Sequence, residues 1–552
     1  MNRQICFLGK TFSLSSLAFI LGTIFVVLYI WHLGFYALMN PDEGRYAEIP
    51  REMLASGDFI TPHLNGVEYF EKPALQYWLT ALFMSIFGQN EFAARLFPAL
   101  CAIGGIFMTG LLGTRMFNRR VGILASAILG TSLLYFVLGQ INILDMGVSF
   151  FMTVSLATFY LYTMENKAYW IYIFYIAMAL GTLTKGLVAI VLTGFIIFVY
   201  AICTKQFRLL LKVLSPVGIL LFFIITVPWF YLVCKANPDF FYFFFIHEHF
   251  LRYLTKIHDR YQPFYFFIPC IILGVFPWTG FLLTAICQSP KKLWQKLKTH
   301  PDRLKFIYLG LWALLIFLFY SKSDSKLIPY ILPCFAPLAI IMADQILKFK
   351  RFKAAIIINA VLSFIWIAAF AIAAYRTDFL TVREYLLFGC LFIAILFFSS
   401  VGNLFLYFKR KDYKSIIVVG VVSGLLFCVA LQPIMTEVAE HRTSKFISQT
   451  INEWKTSDTQ IICFQDYPQG VPFYTNSRVV LYDYLGELEF GSKHPSGQGW
   501  FIKDKQDLIK LWENNPNAIL VIPTKYKDEA FKTLDLTDKE IVTKEKYMVV
   551  RH

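Results

Sequence analysis

The chain has 552 residues, of which 57% are hydrophobic and only 16% are charged. Ordinary soluble proteins carry about 25% charged residues, so this composition excludes a disordered chain, a water-soluble enzyme of standard domains and a secreted disulfide scaffold. The formal net charge is +15, which in a membrane protein collects in cytoplasmic loops and does not indicate a nucleic-acid partner.

Apolar segments of near-spanning length run through the first four fifths of the chain. A helix that crosses a bilayer needs about 20 apolar residues. Thirteen segments fit, at 14–36, 96–114, 121–138, 147–164, 169–184, 186–203, 214–234, 263–287, 306–320, 328–347, 354–374, 384–407 and 415–433. The first has no small-residue cleavage site after it and is interpreted as a retained anchor. The sequence therefore predicts a polytopic α-helical membrane protein with about 13 transmembrane helices.

A further apolar stretch, 74–88, is too short to span and carries Gln76, Tyr77 and Thr80. We predict that it lies in the membrane interface as an amphipathic helix. If it does not cross, the Lys- and Arg-rich loops, such as the one from Lys291 to Lys305, all fall on one side. If it did cross, every later loop would change sides, and the basic residues would no longer be concentrated on one side of the membrane. The positive-inside rule therefore places the N-terminus in the cytoplasm and the C-terminus outside.

The composition changes near residue 433, so we divide the chain into a transmembrane domain, 1–433, and a soluble domain, 434–552. The second part alternates polar stretches with short apolar runs. The runs that favour strands are Gln460–Phe464, Arg478–Leu481, Ala518–Ile522 and Met548–Val550, and those that favour helices are Lys505–Trp512 and Asp528–Thr533. We predict a small α/β domain outside the membrane.

The first outer loop, 37–73, is acidic, with seven Asp and Glu against three Lys and Arg. Within it, Asn40-Pro41-Asp42-Glu43 is typical of a helix start, because carboxylates suit the first helical turn. Arg45 follows Asp42 by three residues, so the two side chains can share one helix face. One interpretation is a capped surface helix with an ion pair, and the other is a reaction centre.

Other ionisable residues occur at span ends that the topology assigns to the same outer side. They are Asp145, Lys185, His247, Glu248, His249, Arg252 and Lys326, with Tyr330 close behind. Charged groups at a membrane boundary are costly and usually functional. Lysine and arginine there would attract phosphate, and the carboxylates could act as base or orient a nucleophile. Glu71 with His247 or His249 could hold a divalent cation.

Three segments of the first loop resemble the aminoarabinose transferase family, which is related to protein O-mannosyltransferases and has the GT-C fold. They are Asp42-Glu-Gly-Arg-Tyr-Ala-Glu-Ile, Arg51-Glu-Met-Leu-Ala-Ser-Gly-Asp and Tyr69-Phe-Glu-Lys-Pro-Ala-Leu-Gln-Tyr-Trp. Sparser matches are Leu144-Asp145, Thr184-Lys185-Gly186, Glu248-His249 with Arg252, and Lys326 followed by Tyr330-Ile-Leu. The run Ser321-Lys-Ser-Asp-Ser-Lys differs somewhat from that of relatives.

The resemblance implies a glycosyltransferase of the bacterial inner membrane with 13 spans and a periplasmic C-terminal domain. Its donor would be undecaprenyl phosphate carrying 4-amino-4-deoxy-L-arabinose, and its acceptor a lipid A phosphate or another envelope molecule. The implied site consists of Asp42, Arg45 and Asp145 at the reaction centre, Lys72, Lys185, Arg252, Lys326 and Tyr330 around the donor phosphate, and Glu71 and His249 at a metal position. We expect one divalent ion such as zinc, no nucleotide cofactor, and a monomer among membrane lipids.

Two alternatives remain open on the sequence. Relatives that use another lipid-linked sugar or acceptor share the first-loop motif, so galactosamine transfer to lipid A or mannosyl transfer to a protein hydroxyl is the closer alternative. A lipid or sugar transporter is the more distant one. Transporters tend to show internal repeats and mid-span polar residues, whereas here the ionisable residues lie at outer span ends and no repeat is evident.

Overall fold

A computed structural model describes residues 4–7, 10–251, 261–286, 302–348, 353–376 and 383–552. Among these residues, eight helices are long and apolar enough to cross a membrane, and a bent pair makes nine. The eight are Glu91–Met116, Leu144–Glu165, Pro216–Ala236, Arg303–Lys322, Ile328–Lys348, Lys353–Ile372, Gly389–Arg410 and Tyr413–Glu440. The pair, Arg119–Gly130 with Leu133–Gly139, bends by 66°.

The remaining predicted spans coincide with helices that are shorter, less apolar or broken. They are Leu14–Ile30, Ala168–Lys185, Val188–Thr204, and Phe267–Gly274 followed by Thr279–Ile286. Pro277 lies in the break of the last pair, where a proline cannot continue the backbone ladder. Each of the 13 predicted segments thus contains helix in its described part, and the number of actual crossings stays a prediction. The predicted interfacial stretch forms the 13-residue helix Leu75–Phe87.

The chain divides into two compact units. The first consists of Met1–His32, Pro98–Pro228 and Phe245–Ile434, and the second of Leu33–Phe97, Trp229–Phe244 and Met435–His552. The second unit therefore combines the predicted soluble domain with the first outer loop, a grouping that sequence analysis did not predict.

In the first unit, the helix Leu144–Glu165 lies at the centre of the packing. Its most apolar window is 89% buried, whereas that of Pro216–Ala236 is only 22% buried. The Tyr308 hydroxyl of a neighbouring helix donates to the Leu156 carbonyl at 2.6 Å and lies in a buried aromatic group. Asp145, in the first turn of this central helix, is thereby placed on a rigid element.

The second unit is built around a six-stranded sheet. We number the described strands of both units in chain order. The strands β1 Gln4–Phe7, β2 Lys10–Ser13, β3 His63–Leu64 and β4 Val67–Glu68 lie outside the six-stranded sheet. The strands of that sheet are β5 Ile461–Phe464, β6 Val479–Tyr482, β7 Phe501–Ile502, β8 Ile519–Pro523, β9 Glu540–Lys544 and β10 Tyr547–Arg551. The sheet order is β7-β6-β5-β8-β10-β9, parallel from β7 to β8 and antiparallel beyond. All four predicted strands are present.

Strands β7 and β9 were not predicted, because β7 has only two residues and β9 is largely exposed along its length. Helices cover the sheet, and both helices predicted in this part of the chain are present. The helices of this region are Lys445–Trp454, Gly470–Thr475, Glu489–Ser492, Lys505–Glu513 and Lys527–Thr533. The remaining described α- and π-helices are Asp42–Ser56, Arg208–Val213, and the π-helices Tyr242–Leu251 and Leu406–Arg410.

Candidate active site

The first-loop helix begins at Asp42, as predicted, and continues to Ser56. The Glu43 carboxylate accepts the Met39 backbone N–H at 3.0 Å, which satisfies a donor just ahead of the first turn. Gly57 caps the end of the helix, and its φ of 74° is a left-handed conformation that glycine adopts without strain. The Asp42 side chain is 50% exposed, so its carboxylate is open to reactants.

The other carboxylates of this helix are engaged in structure. Glu43 and Glu48 are buried, and both oxygens of Glu48 accept hydrogen bonds from Arg51 at 2.6 Å. Glu52 accepts the Gly66 backbone N–H at 3.0 Å. Burial, and then the Glu48 charge, raise the pKa of Glu52 well above its usual value, so this carboxyl retains its proton more readily. Asp42 is therefore the best placed of these carboxylates for chemistry.

A buried arginine fixes the backbone around Asp42. The Arg95 guanidinium is fully buried and donates to the two Glu43 oxygens at 2.7 and 2.8 Å. It also donates to three backbone carbonyls, those of Leu33, Tyr36 and Ala37. A buried charge is stable only when it is paired and hydrogen-bonded in this way. Sequence analysis missed Arg95, and its one signal was a single arginine in an apolar helix.

Arg45 is paired with Asp42 on the helix face that the sequence predicted. The guanidinium is buried, and its Nη1 lies 3.6 Å from the Glu487 carboxylate of the C-terminal domain. Glu487 is in turn held by the Gln469 amide at 2.7 Å and the Tyr484 hydroxyl at 3.2 Å. Arg45 is thus fixed between two carboxylates and can orient the exposed one.

Glu71 and Lys72 lie side by side in the first loop. The Tyr69 hydroxyl donates to Glu71 Oε2 at 3.1 Å, and Lys72 Nζ lies 3.8 Å from the same oxygen. Lys72 also donates to the Glu71 carbonyl at 2.7 Å. Both side chains are partly exposed, at 22% and 14% for Glu71 and Lys72. The Lys72 side chain is thus held by Glu71 while it remains partly exposed.

The described residues do not assemble a metal site. No group of three or more His, Cys, Asp or Glu side chains in that part of the chain is placed to hold a metal ion. The backbone of His249 lies in the π-helix Tyr242–Leu251, but its side chain is outside the description, and Arg252 lies outside the described residues. The predicted roles of these two residues stay predictions.

Three predicted site residues, Asp145, Lys185 and Tyr330, come from separate segments of the first unit and lie close together. Asp145 lies in the first turn of the helix Leu144–Glu165, and Lys185 is the last residue of the helix Ala168–Lys185. The Lys185 ammonium is paired with the Asp145 carboxylate and lies 4.4 Å from the centroid of the Tyr330 ring. The Lys185 and Asp145 side chains are 13% and 14% exposed. The Lys185 ammonium is therefore held in place by Asp145, while its side chain remains slightly exposed.

The Lys326 ammonium donates its hydrogen bonds to backbone carbonyls. Its Nζ donates to the carbonyls of Gln262, at 2.7 Å, and Ser323, and the residue is buried. Burial also lowers the pKa of its ammonium. Lys326 therefore joins the turn that precedes Tyr330 to the segment at residue 262, and its predicted contact with phosphate stays a prediction.

Two family models match the chain. Residues 14–247 match the dolichyl-phosphate-mannose-protein mannosyltransferase family, and residues 447–552 match the aminoarabinose transferase C-terminal domain. An undecaprenyl phosphate-α-4-amino-4-deoxy-L-arabinose arabinosyl transferase from Aeromonas hydrophila is 27% identical over 96% of this chain and 97% of its own length. Its counterpart from an Enterobacter species is 35% identical over 59% of this chain and 58% of its own length.

The fold matches a solved structure along almost its whole length. The crystal structure of ArnT from Cupriavidus metallidurans bound to undecaprenyl phosphate is 28% identical, covers 96% of this chain and 97% of that chain, and has a TM-score of 0.84. The helical bundle with its C-terminal sheet domain is therefore a GT-C membrane glycosyltransferase. Within that class, the chain is similar to aminoarabinose transferases along almost its whole length, which confirms the resemblance read from the first loop. An enzyme is thereby favoured over a transporter.

Proposed function

We propose that this enzyme transfers 4-amino-4-deoxy-L-arabinose from undecaprenyl phosphate to a phosphate of lipid A at the periplasmic face of the inner membrane. The observation that carries the proposal is the match over 96% of the chain to a transferase structure bound to undecaprenyl phosphate. Transfer of another sugar, or transfer to a protein hydroxyl, would be the same reaction type with a different substrate.

In the reaction, the bond between the sugar C1 and the donor phosphate oxygen breaks, and the phosphate leaves with the electron pair. Cations near that oxygen stabilise the developing charge. We assign this role to Lys185, held by Asp145 beside the Tyr330 ring, and, from the family resemblance, to Lys72. Arg252 and Lys326 are assigned to the same phosphate from the family resemblance alone.

The acceptor oxygen forms the new bond to C1 from the opposite face, so we expect inversion in a single displacement. A phosphate monoester is mostly ionised near pH 7, because its second pKa is about 6. It needs little help from a base, and Asp42 would instead orient the acceptor or stabilise positive charge on the sugar. With a hydroxyl acceptor, Asp42 would have to serve as a true general base. Arg45 holds Asp42 in either case.

The reaction would lower the negative charge of the cell envelope, because the added sugar carries an amino group. Each Lys or Arg of a cationic peptide near an anionic surface contributes about 1 kcal/mol to binding. Weaker binding of such peptides is the physical basis for expecting polymyxin resistance from this activity.

The substrate assignment is tested with the purified full-length protein in lipid nanodiscs. We expect lipid A to gain the mass of one amino-pentose when the aminoarabinose donor is supplied, and not when a galactosamine donor replaces it. A faster reaction with the galactosamine donor, or with a protein hydroxyl as acceptor, would overturn the assignment and leave the reaction type in place.

A divalent ion such as zinc at Glu71 and His249 is proposed from the resemblance. It would supply a positive charge to the donor phosphate, and no step above depends on it. We expect EDTA to lower the rate and zinc to restore it, with bound metal measured by mass spectrometry and reduced in Glu71→Gln. Full activity after EDTA, together with no bound metal, would show that the reaction needs no divalent ion.

The orientation of the chain follows from its loop charges. We propose that the N-terminus is cytoplasmic and that the site and the C-terminus are periplasmic. An engineered cysteine after His552 should react with a membrane-impermeant maleimide in intact spheroplasts, and one placed in the loop 291–300 should react only after lysis. The reverse labelling pattern would contradict the orientation, and labelling of both positions from the same side would contradict the span count.

A further inference from the structure

Asn40, two residues before Asp42, lies where the first loop meets the C-terminal domain. Its side-chain amide donates to the Ser444 hydroxyl, and its side-chain oxygen accepts the Gly470 backbone N–H at 2.9 Å. Its own backbone N–H donates to the Arg442 carbonyl at 2.9 Å. The preceding residue, Met39, forms an antiparallel bridge with Thr443. The chain entering the Asp42 helix is therefore bonded to two separate segments of the C-terminal domain.

The first turn of the helix also packs directly on the backbone of that domain. A Cβ added to Gly44 would lie 2.6 Å from the Gly470 nitrogen and 3.0 Å from the Asn40 side-chain oxygen. A Cβ added to Gly470 would lie 3.1 Å from the same Asn40 oxygen. A side chain at either glycine would displace neighbouring atoms. The hydrogen bonds of Asn40 are therefore made at a tightly packed contact between the two backbones.

We propose that Asn40 is a positioning residue, through which the C-terminal domain sets the orientation of Asp42. The inference rests on the proposed function, which places Asp42 at the reaction centre. Because the Asp42 side chain is 50% exposed, packing restrains it little, and its direction depends on Arg45 and on the backbone that carries it. The proposal gives the C-terminal domain a role in catalysis that requires no contact with substrate.

The test compares Asn40→Ala with Asn40→Asp in the purified full-length enzyme. Asn40→Ala loses both side-chain hydrogen bonds, and a displacement of about 1 Å at a reaction centre costs about 100-fold in rate. We expect kcat to fall about 10- to 100-fold, with the KM for the undecaprenyl-phosphate donor changed less than about twofold, because the proposed donor-binding groups remain. Asn40→Asp retains oxygen acceptors for Gly470 N–H and the Ser444 hydroxyl, so we expect kcat within about threefold of wild type.

Two further variants keep the test decisive. Asn452→Ala removes an asparagine of the same unit that donates to the Tyr474 carbonyl at 3.0 Å, and it should leave kcat unchanged. If Asn40→Ala does not fold, Ser444→Ala removes one of its partners and should lower kcat several-fold with the donor KM retained.

Three results would overturn the proposal. They are wild-type kcat in Asn40→Ala, a loss in Asn40→Asp as large as in Asn40→Ala, and a rise in donor KM without a fall in kcat. Asp42→Asn, measured in parallel, separates this failure from failure of the proposed function. If Asp42→Asn is inactive while Asn40→Ala is normal, only the positioning role is wrong, whereas an active Asp42→Asn variant overturns both.

Discussion

Replacement of Asp42 by asparagine is expected to lower transfer by about 10²- to 10⁴-fold, the range for loss of a charged group that acts at the transition state. Asparagine has nearly the same shape and keeps an oxygen that can accept from Arg45, so the loss isolates the carboxylate charge. The measurement is kcat/KM for sugar transfer, with the thermal midpoint of the purified protein recorded for each variant.

Glu52→Gln is the matched control for Asp42→Asn, since it removes a carboxylate from the same helix. The pKa of Glu52 is raised by burial and by the Glu48 charge, so its amide analogue resembles the protonated state that the fold favours. We expect near-normal transfer in Glu52→Gln. Equal activity in Asp42→Asn and the wild type would remove Asp42 from the reaction centre.

Replacement of Lys185 by alanine should lower kcat/KM for the donor by about 100-fold, because a charge-assisted contact with a phosphate contributes several kcal/mol in a site shielded from water. The same change leaves Asp145, whose side chain is only 14% exposed, without this partner. Part of any loss could therefore come from destabilisation, since removing one member of a largely buried ion pair costs about 3–5 kcal/mol.

The double variant Lys185→Ala/Asp145→Asn separates the two effects. It removes the stranded carboxylate charge, so we expect the thermal midpoint to recover toward the wild-type value while binding of undecaprenyl phosphate stays weak. Lys185→Arg keeps the cation and should retain most of the donor affinity. Normal donor affinity in the double variant would show that Lys185 acts only as the structural partner of Asp145.

The parts of the site that sequence predicted are those that follow from local spacing or from topology. Asp42 and Arg45 are three residues apart on one helix, and their pairing follows from that spacing. Asp145 and Lys185 are 40 residues apart, but both lie at span ends that the charge rule assigns to one side of the membrane. Their contact with each other, and with Tyr330, agrees with that assignment.

The parts that sequence did not predict are long-range contacts with no periodic signal. Glu487 and Gly470 follow Arg45 and Asn40 in the chain by more than 400 residues, and neither lies in a motif that indicates its partner. Lys326 has the charge of an anion-binding residue, yet its ammonium donates to two backbone carbonyls, one in the preceding turn and one 64 residues away in the chain. Which partner a lysine takes depends on loop conformation, which sequence patterns do not specify.

Secondary-structure elements were likewise predicted where a hydrophobic pattern marks them and missed where that pattern is absent. The four apolar runs of the C-terminal domain predict strands, because a strand that is buried on both faces is apolar at almost every position, as strand β8 is. Strand β9 is largely exposed, so the hydrophobic pattern that reveals a strand is missing there. Among the membrane segments, Val188–Thr204 is a 17-residue helix and the predicted span 263–287 is broken, so apolar content alone did not determine the lengths of the helices.

The most direct test of the central claim is mass spectrometry of lipid A from a bacterial strain that makes the aminoarabinose donor but has no transferase of its own. Expression of this protein should add the mass of one amino-pentose to lipid A, and expression of Asp42→Asn at the same level should not. Lipid A that stays unmodified by the wild-type protein, or that gains the same mass with Asp42→Asn, would contradict the account.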